Sequence, residues 1–282
     1  MKQWLEVWHG VDHAARVVAP LHRPGFPVVV CWSAKAGCTT VLKWFLHHTR
    51  LLDAAIAFDP WPHHYRARVL TQPRGRYLAE CLAAIRRGDV EVVKVVRDPA
   101  RRAVSSYLHL IRMNADPEWR HGVDAWKRSV GLGRQPGLSF EQFLSFVIDQ
   151  RDSDQPSDPH FHPQWVPAWD RHVDLLVRLE DLAVELADLE SRHGLPRTTV
   201  RDFSESHHHN APDAAHGWPD DAARFAATEA DLVVLGTPPP EALLDDRALA
   251  LIREAYASDY EAYGHLYRIS RAPRIVRLRR AA

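Results

Sequence analysis

Residues 26–48, FPVVVCWSAKAGCTTVLKWFLHH, join a β-branched apolar run to an amphipathic segment through a turn containing Lys35 and Gly37. An unbroken run such as Val28 to Trp32 suits a strand covered on both faces, as in a parallel sheet. The segment Thr39 to His48 that follows carries Val41, Leu42, Phe45 and Leu46 at helical spacing and is expected as a helix. The same alternation recurs. RYLAECLAAIRR (76–87) reads as a second amphipathic helix, and VEVVKVV (90–96) as a strand apolar enough to be central. In the RDPARRAVSSYLHLI that follows, Asp98 is a plausible N-cap and Pro99 occupies a first helical position, where its missing N–H costs nothing. VDLLVRLEDL (173–182) is a third strand running into a helix that ends near Gly194, and residues 246–263 form a last long helix. Residues 151–168 and 206–221 read as long ordered loops. The fold class expected is α/β, a central parallel β-sheet flanked by helices. No repeat or linker is evident, so 1–282 is expected to be a single domain with a core at about 26–267, a short N-terminal extension and a basic C-terminal tail.

The chain has 36 Lys plus Arg against 36 Asp plus Glu, so net charge gives no reason to expect nucleic acid or an anionic membrane as a partner. Any anion site must be local. Cys31, Cys38 and Cys81 are too few and too scattered for a disulfide framework or a cysteine-based zinc site, which points to a reducing compartment. MKQWLEVWHG lacks a signal-peptide apolar region, and no apolar run approaches the roughly 20 residues that span a bilayer. A cytoplasmic protein without stable membrane insertion is the expectation.

A strand that turns through glycine into a helix offers unpaired backbone N–H groups and the positive end of the helix dipole, a geometry that binds phosphate. Lys35 adds a charge, Gly37 lets backbone approach, and Thr39 and Thr40 supply hydroxyls. The pattern G-x-x-x-x-G-K-[ST] is absent, since Lys35 precedes the glycine, and no acidic strand end for magnesium is apparent. A kinase or GTPase is disfavoured, while an ordinary glycine turn stays open. A second anion feature follows: Arg97 ends the central strand, and Ser105 lies on the next helix. The competing view is a solvated basic helix, with Arg101 and Arg102 exposed and Ser105 and Ser106 as surface residues.

Taken in order, the two segments resemble sulfotransferases that use 3′-phosphoadenosine-5′-phosphosulfate (PAPS), in particular their carbohydrate-type branch. In that family P-K-x-G-C-T holds the 5′-phosphosulfate and R-D-P-x-x-R-x-x-S-x-Y the 3′-phosphate. Here Ala34-Lys35-Ala36-Gly37-Cys38-Thr39 matches the first with Ala34 in place of proline, and Arg97-Asp98-Pro99 with Arg102, Ser105 and Tyr107 matches the second. DPHFHPQW (158–165), LVRLEDL (176–182) and YASDYEAYGHL (256–266) look like later blocks of the same family. The resemblance implies a P-loop NTPase-like sulfotransferase fold with PAPS as donor and no metal. Lys35, Ala36, Gly37, Cys38, Thr39 and Thr40 would then hold the 5′ end, Lys35 with a catalytic role, and Arg97 and Ser105 would seat the 3′-phosphate. The acceptor implied is a saccharide or glycosylated metabolite.

The acceptor's proton needs a base with a pKa near working pH, which suits histidine. WPHHYRARVL (61–70) lies between the phosphate segments, where heparan-type members carry an H-x-H-x-R stretch. His64, paired with Arg66, fits best, with His63 in reserve and Glu80 as the carboxylate alternative. His160, His162 and Gln164 resemble acceptor-binding residues, and could equally be structural hydrogen-bonders. Three other features carry less. The SHHHN run at 206–210 lacks a complete ligand set for a metal. Cys38 at a helix N-terminus has no partner that the sequence places. Four arginines between Arg274 and Arg280 more often form a solvated end. Tryptophans 61, 165, 169 and 218 would suit stacking on sugar rings, although tryptophan is also a common core residue. An atypical nucleotide kinase and a non-catalytic 3′-phosphoadenosine nucleotide-binding module are the alternative readings.

Overall fold

A computed structural model of the chain describes residues 18–113, 117–133, 135–151, 158–204, 217–267 and 276–277. The histidine run at 207–209 and most of the arginine-rich tail lie outside the described residues. In chain order the elements begin with β1 (Val28–Cys31), α1 (Cys38–His48), α2 (Leu52–Phe58) and α3 (Pro62–Tyr65), which passes into a π-helical turn at Arg66–Leu70. Next come α4 (Arg74–Arg87), β2 (Glu91–Val96), α5 (Pro99–Met113), α6 (Pro117–Ser129), α7 (Phe140–Arg151) and α8 (Pro167–Asp170). The chain continues through β3 (Leu175–Arg178), a 3₁₀ turn at Leu179–Asp181, α9 (Leu182–Arg192), α10 (Arg201–Ser204), α11 (Glu229–Leu235) and α12 (Pro240–Leu243). It closes with α13 (Asp246–Ala255), α14 (Ala257–Tyr263), a 3₁₀ turn at Gly264–Leu266 and β4 (Val276–Arg277).

Two compact units divide these elements, one made of residues 1–97, 164–206 and 269–282 and the other of 98–163 and 207–268. The first holds the sheet, in the order β1-β2-β3-β4. β1, β2 and β3 are parallel, with Val28 opposite Glu91 and Val96 opposite Arg178, and β4 runs antiparallel to β3. The expected central position of 90–96 is therefore observed. β1 is buried along its whole length and β2 from Val92 to Val96, as a sheet covered on both faces requires. α1 covers it with Val41, Leu42, Trp44, Phe45 and Leu46. α4 contributes Tyr77, Leu78, Cys81, Leu82 and Ile85. Each such side chain is worth about 1.5–3 kcal/mol in transfer free energy. A buried polar knot joins α1 to α9. The Glu190 carboxylate accepts from Trp44 Nε1 at 2.9 Å, and Nε2 of His48 lies 3.1 Å from it. Burial pushes this carboxyl up, but hydrogen bonds from Thr198, Trp44 and His48 outweigh it and hold the pKa below the usual value.

The second unit packs α5, α7 and α13 around Tyr107, Phe140, Phe143, Phe146, Phe161 and Ile252. α5 begins as expected: Oδ1 of Asp98 accepts from the Arg101 N–H at 2.9 Å. The helix expected at 246–263 is broken at Tyr256, whose φ of −120° and ψ of 37° leave the helical region. Its ring is buried in the core, 1% exposed, so tertiary packing overrides the helical periodicity there. Among the described residues no helix is long and apolar enough to cross a membrane.

Candidate active site

β1 ends beside Lys94 and β2 beside Arg178, which brings the turn after β1 and the residue after β2 to the same carboxyl edge of the sheet. Ligands of open α/β sheets bind outside that edge. The turn closes with the Ala36 N–H donating to the Ser33 carbonyl at 3.2 Å. Gly37 then caps α1 at φ 72°, a left-handed conformation that glycine adopts without strain. A Cβ there would meet Leu179 Cδ1 at 2.5 Å, so the close approach that glycine permits is to Leu179. Lys35 is left-handed too, at φ 65°, which costs a non-glycine residue about 1 kcal/mol or more. Among the described residues no side chain caps α1, so its first N–H groups and the dipole face the turn.

Arg97 is bound to this turn, with Nη1 donating to the Lys35 carbonyl at 3.0 Å. Its backbone is held by Gln164: Oε1 accepts from the Arg97 N–H and Nε2 donates to the Arg97 carbonyl, each at 2.9 Å. Gln164, expected beside the acceptor, is wholly buried, and its amide orders the strand end. Its own carbonyl accepts from Lys94 Nζ at 2.8 Å, and Lys94 pairs with Asp170 at 3.1 Å. This buried pair was not anticipated from sequence; a lysine inside an otherwise apolar strand was its signal.

His63 reaches the turn. Its Nε2 lies 3.0 Å from Thr39 Oγ1 and 4.0 Å from Cys38 Sγ, and its ring is flanked by Trp61 and Trp32, with centroids 4.9 and 6.4 Å away. His64 points elsewhere. Its Nδ1 is 2.8 Å from Asp59 Oδ2, and its side chain is 47% exposed. Hydrogen bonding to His64 is the main cause holding the Asp59 carboxyl below the usual range. Arg66, expected as His64's companion, lies over the Trp32 ring with Cζ 4.0 Å from the centroid. Glu80 is paired with Arg76 on the surface of α4 at 2.7 Å.

The second unit carries Ser105, half-buried on α5, and the 158–163 loop. The view that Arg102 and Ser106 are surface residues does not hold, as both are buried. Arg102 Nη2 donates to the His162 carbonyl at 2.7 Å, so this motif arginine fixes the loop that bears His160 and His162. His160 Nδ1 lies 2.6 Å from Asp158 Oδ1, and its ring is 4.4 Å from that of His109. The Tyr107 hydroxyl donates to the Leu138 carbonyl within the core. Of the loop tryptophans, Trp169 is 1% exposed and belongs to the core, whereas Trp61, Trp165 and Trp218 are half-buried. Among the described residues no group of three or more His, Cys, Asp or Glu side chains could hold a metal ion.

A protein-family model described as the sulfotransferase family matches residues 75–267. The match takes in Arg97, Arg102, Ser105 and Gln164 and begins after the Lys35–Thr40 turn and the His63–His64 pair. Searches of the curated proteins and of the solved structures gave no match.

Proposed function

This chain belongs to the sulfotransferase family, and we propose that it moves the sulfuryl group of PAPS to an acceptor hydroxyl on a saccharide or glycosylated metabolite. The observation that carries this reading is the bond from Arg97 to the Lys35 carbonyl, which couples the two segments that resemble the family's phosphate-binding patterns. Lys35, Thr39, Thr40 and the uncapped N–H groups of α1 would hold the 5′ end of the donor. Arg97 donates to the Lys35 carbonyl, and the pattern gives it the 3′-phosphate together with Ser105.

The reaction breaks the bond from sulfur to the phosphate oxygen and forms one from sulfur to the acceptor oxygen. The hydroxyl proton must leave, and charge collects on the phosphate. Positioning and fixed charge do most of such work, as in phosphoryl transfer. Lys35 would offset the phosphate charge. His63 is the favoured base, because its Nε2 already sits at the Thr39 hydroxyl of the turn. His64 is the second reading, favoured by Asp59, which orients its Nδ1 and leaves Nε2 to accept a proton.

Incubation with ³⁵S-labelled PAPS and a panel of glycans, glycosylated metabolites and simple alcohols tests the proposal. Label transferred to a glycan hydroxyl, and lost in Lys35→Ala, is the expected result. PAPS binding without transfer to any hydroxyl acceptor would support a non-catalytic module.

A further inference from the structure

Arg66 occupies an unusual position for a cation. The π-helical turn fixes its backbone, with both the N–H and the hydroxyl of Thr71 donating to its carbonyl at 3.0 Å. Its guanidinium packs on Trp32, the residue that leads from β1 into the Lys35–Thr40 turn. No described carboxylate lies within ion-pair distance of it. The carboxylates of Asp59, ahead of α3, and Glu80, on α4, are paired with His64 and Arg76. A second guanidinium adds to the same field. Arg74, at the start of α4, has a buried Nε with no hydrogen-bond partner among the described residues, and its charge lowers the pKa of Arg66. Burial is the larger cause, and together they bring Arg66 down to about 10, with the Cys38 and Tyr77 groups opposing.

Both arginines are half-buried, so each is partly withdrawn from water with no described anion to offset its charge, and the Nε of Arg74 is fully buried. Stacking on Trp32 offsets part of the cost of that withdrawal, but it uses the face of the guanidinium and leaves the in-plane N–H donors of Arg66 without a described protein partner. Those donors match the paired oxygens of a sulfate or carboxylate.

We propose that Arg66 and Arg74, floored by Trp32, form an oxyanion subsite beside the Lys35–Thr40 turn that takes a sulfate or carboxylate group during the reaction. The inference rests on the sulfotransferase reading for its place in the reaction. Two sources could supply such a group, the donor's own sulfuryl or an acidic acceptor.

The test is calorimetric titration of inorganic sulfate, at constant ionic strength, into protein saturated with 3′-phosphoadenosine 5′-phosphate (PAP), which fills the nucleotide site but lacks the sulfuryl group. Sulfate should bind wild type and be weakened about tenfold or more in Arg66→Gln and Arg74→Gln. Arg66→Lys retains a charge over Trp32 but removes the fork, and should weaken sulfate to an intermediate degree. Thermal melts identify any variant that fails to fold, and Arg66→Lys then decides. Repeating the titration with PAPS separates the sources. If the subsite holds the donor's sulfuryl group, PAPS excludes sulfate and Arg66→Gln weakens PAPS more than PAP. If it serves an acidic acceptor, sulfate still binds and both nucleotides keep their affinity. Sulfate that ignores PAP-loaded wild type, or binds Arg66→Gln and Arg66→Lys as well as wild type, overturns the subsite. Failure of PAP itself to bind counts against the functional reading instead, and sulfate titrated into the free protein then tests the subsite alone.

Discussion

Nη1 of Arg97 donates to the backbone carbonyl of Lys35 at 3.0 Å, so the residue that ends β2 braces the turn that follows β1. One side chain thus serves two ends. It shapes the left-handed Lys35 and presents charge at the edge of the sheet. Arg97→Ala should weaken PAP about 10- to 100-fold, the range for losing charge-assisted hydrogen bonds. Arg97→Lys should recover part of that loss, since it keeps the charge without the fork. Equal PAP affinity in calorimetric titrations of the alanine variant and wild type would remove Arg97 from the nucleotide site.

Gln164 acts through Arg97. Gln164→Ala leaves the Arg97 N–H and carbonyl without their buried partners and should cost about 2–4 kcal/mol in urea unfolding. Gln164→Glu retains an acceptor for the N–H but sets a carboxylate oxygen against the Arg97 carbonyl, so it should not rescue stability. PAP binding should weaken in both variants, because the arginine's backbone is no longer fixed. A glutamate variant as stable as wild type would contradict this role.

The parallel sheet was legible because Val28 to Trp32 is apolar without a break and Val90 to Val96 is apolar apart from Glu91 and Lys94, as a strand covered on both faces needs. The glycine turn was legible for a similar reason, since Gly37 joins a strand signal to a helical one. The part Gly37 plays was not, because Leu179 approaches it from far along the chain. Gln164 and Arg102 look like ligand-facing polar residues in sequence, and only the fold discloses that both are buried and bonded to backbone. Neighbouring histidines posed the same problem. His63 and His64 differ by one position on a short helix, so they point in different directions, and tertiary packing decides which of them meets Thr39.

Gly37→Ala should destabilise the fold by about 1–3 kcal/mol, combining left-handed strain with a clash at Leu179. In a Leu179→Ala background the same change should cost less, as the clash disappears and only the backbone strain remains. Additive costs in a double-mutant cycle by chemical denaturation would show that Leu179 does not constrain the turn.

For the base, His63→Ala should lower kcat at least 100-fold while leaving PAP affinity within about threefold, the pattern of a lost proton acceptor. His64→Ala should lower it by less than tenfold. Steady-state kinetics with saturating PAPS decide between them, and the reverse ranking would move the base to the Asp59-held His64.

Glu185 gives stability a pH signature. Its carboxyl is buried on α9, and burial raises its pKa from 4.5 to about 7, with the charges of Asp181 and Asp188 adding and Arg178 opposing. The folded chain therefore keeps a proton that the unfolded chain releases above about 4.5, and this group's contribution falls as pH rises from there to about 7. Glu185→Gln should raise the Tm relative to wild type at pH 8, with the difference shrinking toward pH 5. A difference in Tm that does not change between these pH values would contradict the assignment.

The most direct measurement is calorimetric titration of the full chain with PAP, beside ATP with magnesium, in wild type and in a Lys35→Ala, Arg97→Ala double variant whose thermal melt confirms that it is folded. Magnesium-independent PAP binding that the double variant loses is the expected result. Binding of magnesium ATP in preference to PAP, or PAP binding undiminished in the double variant, would contradict it.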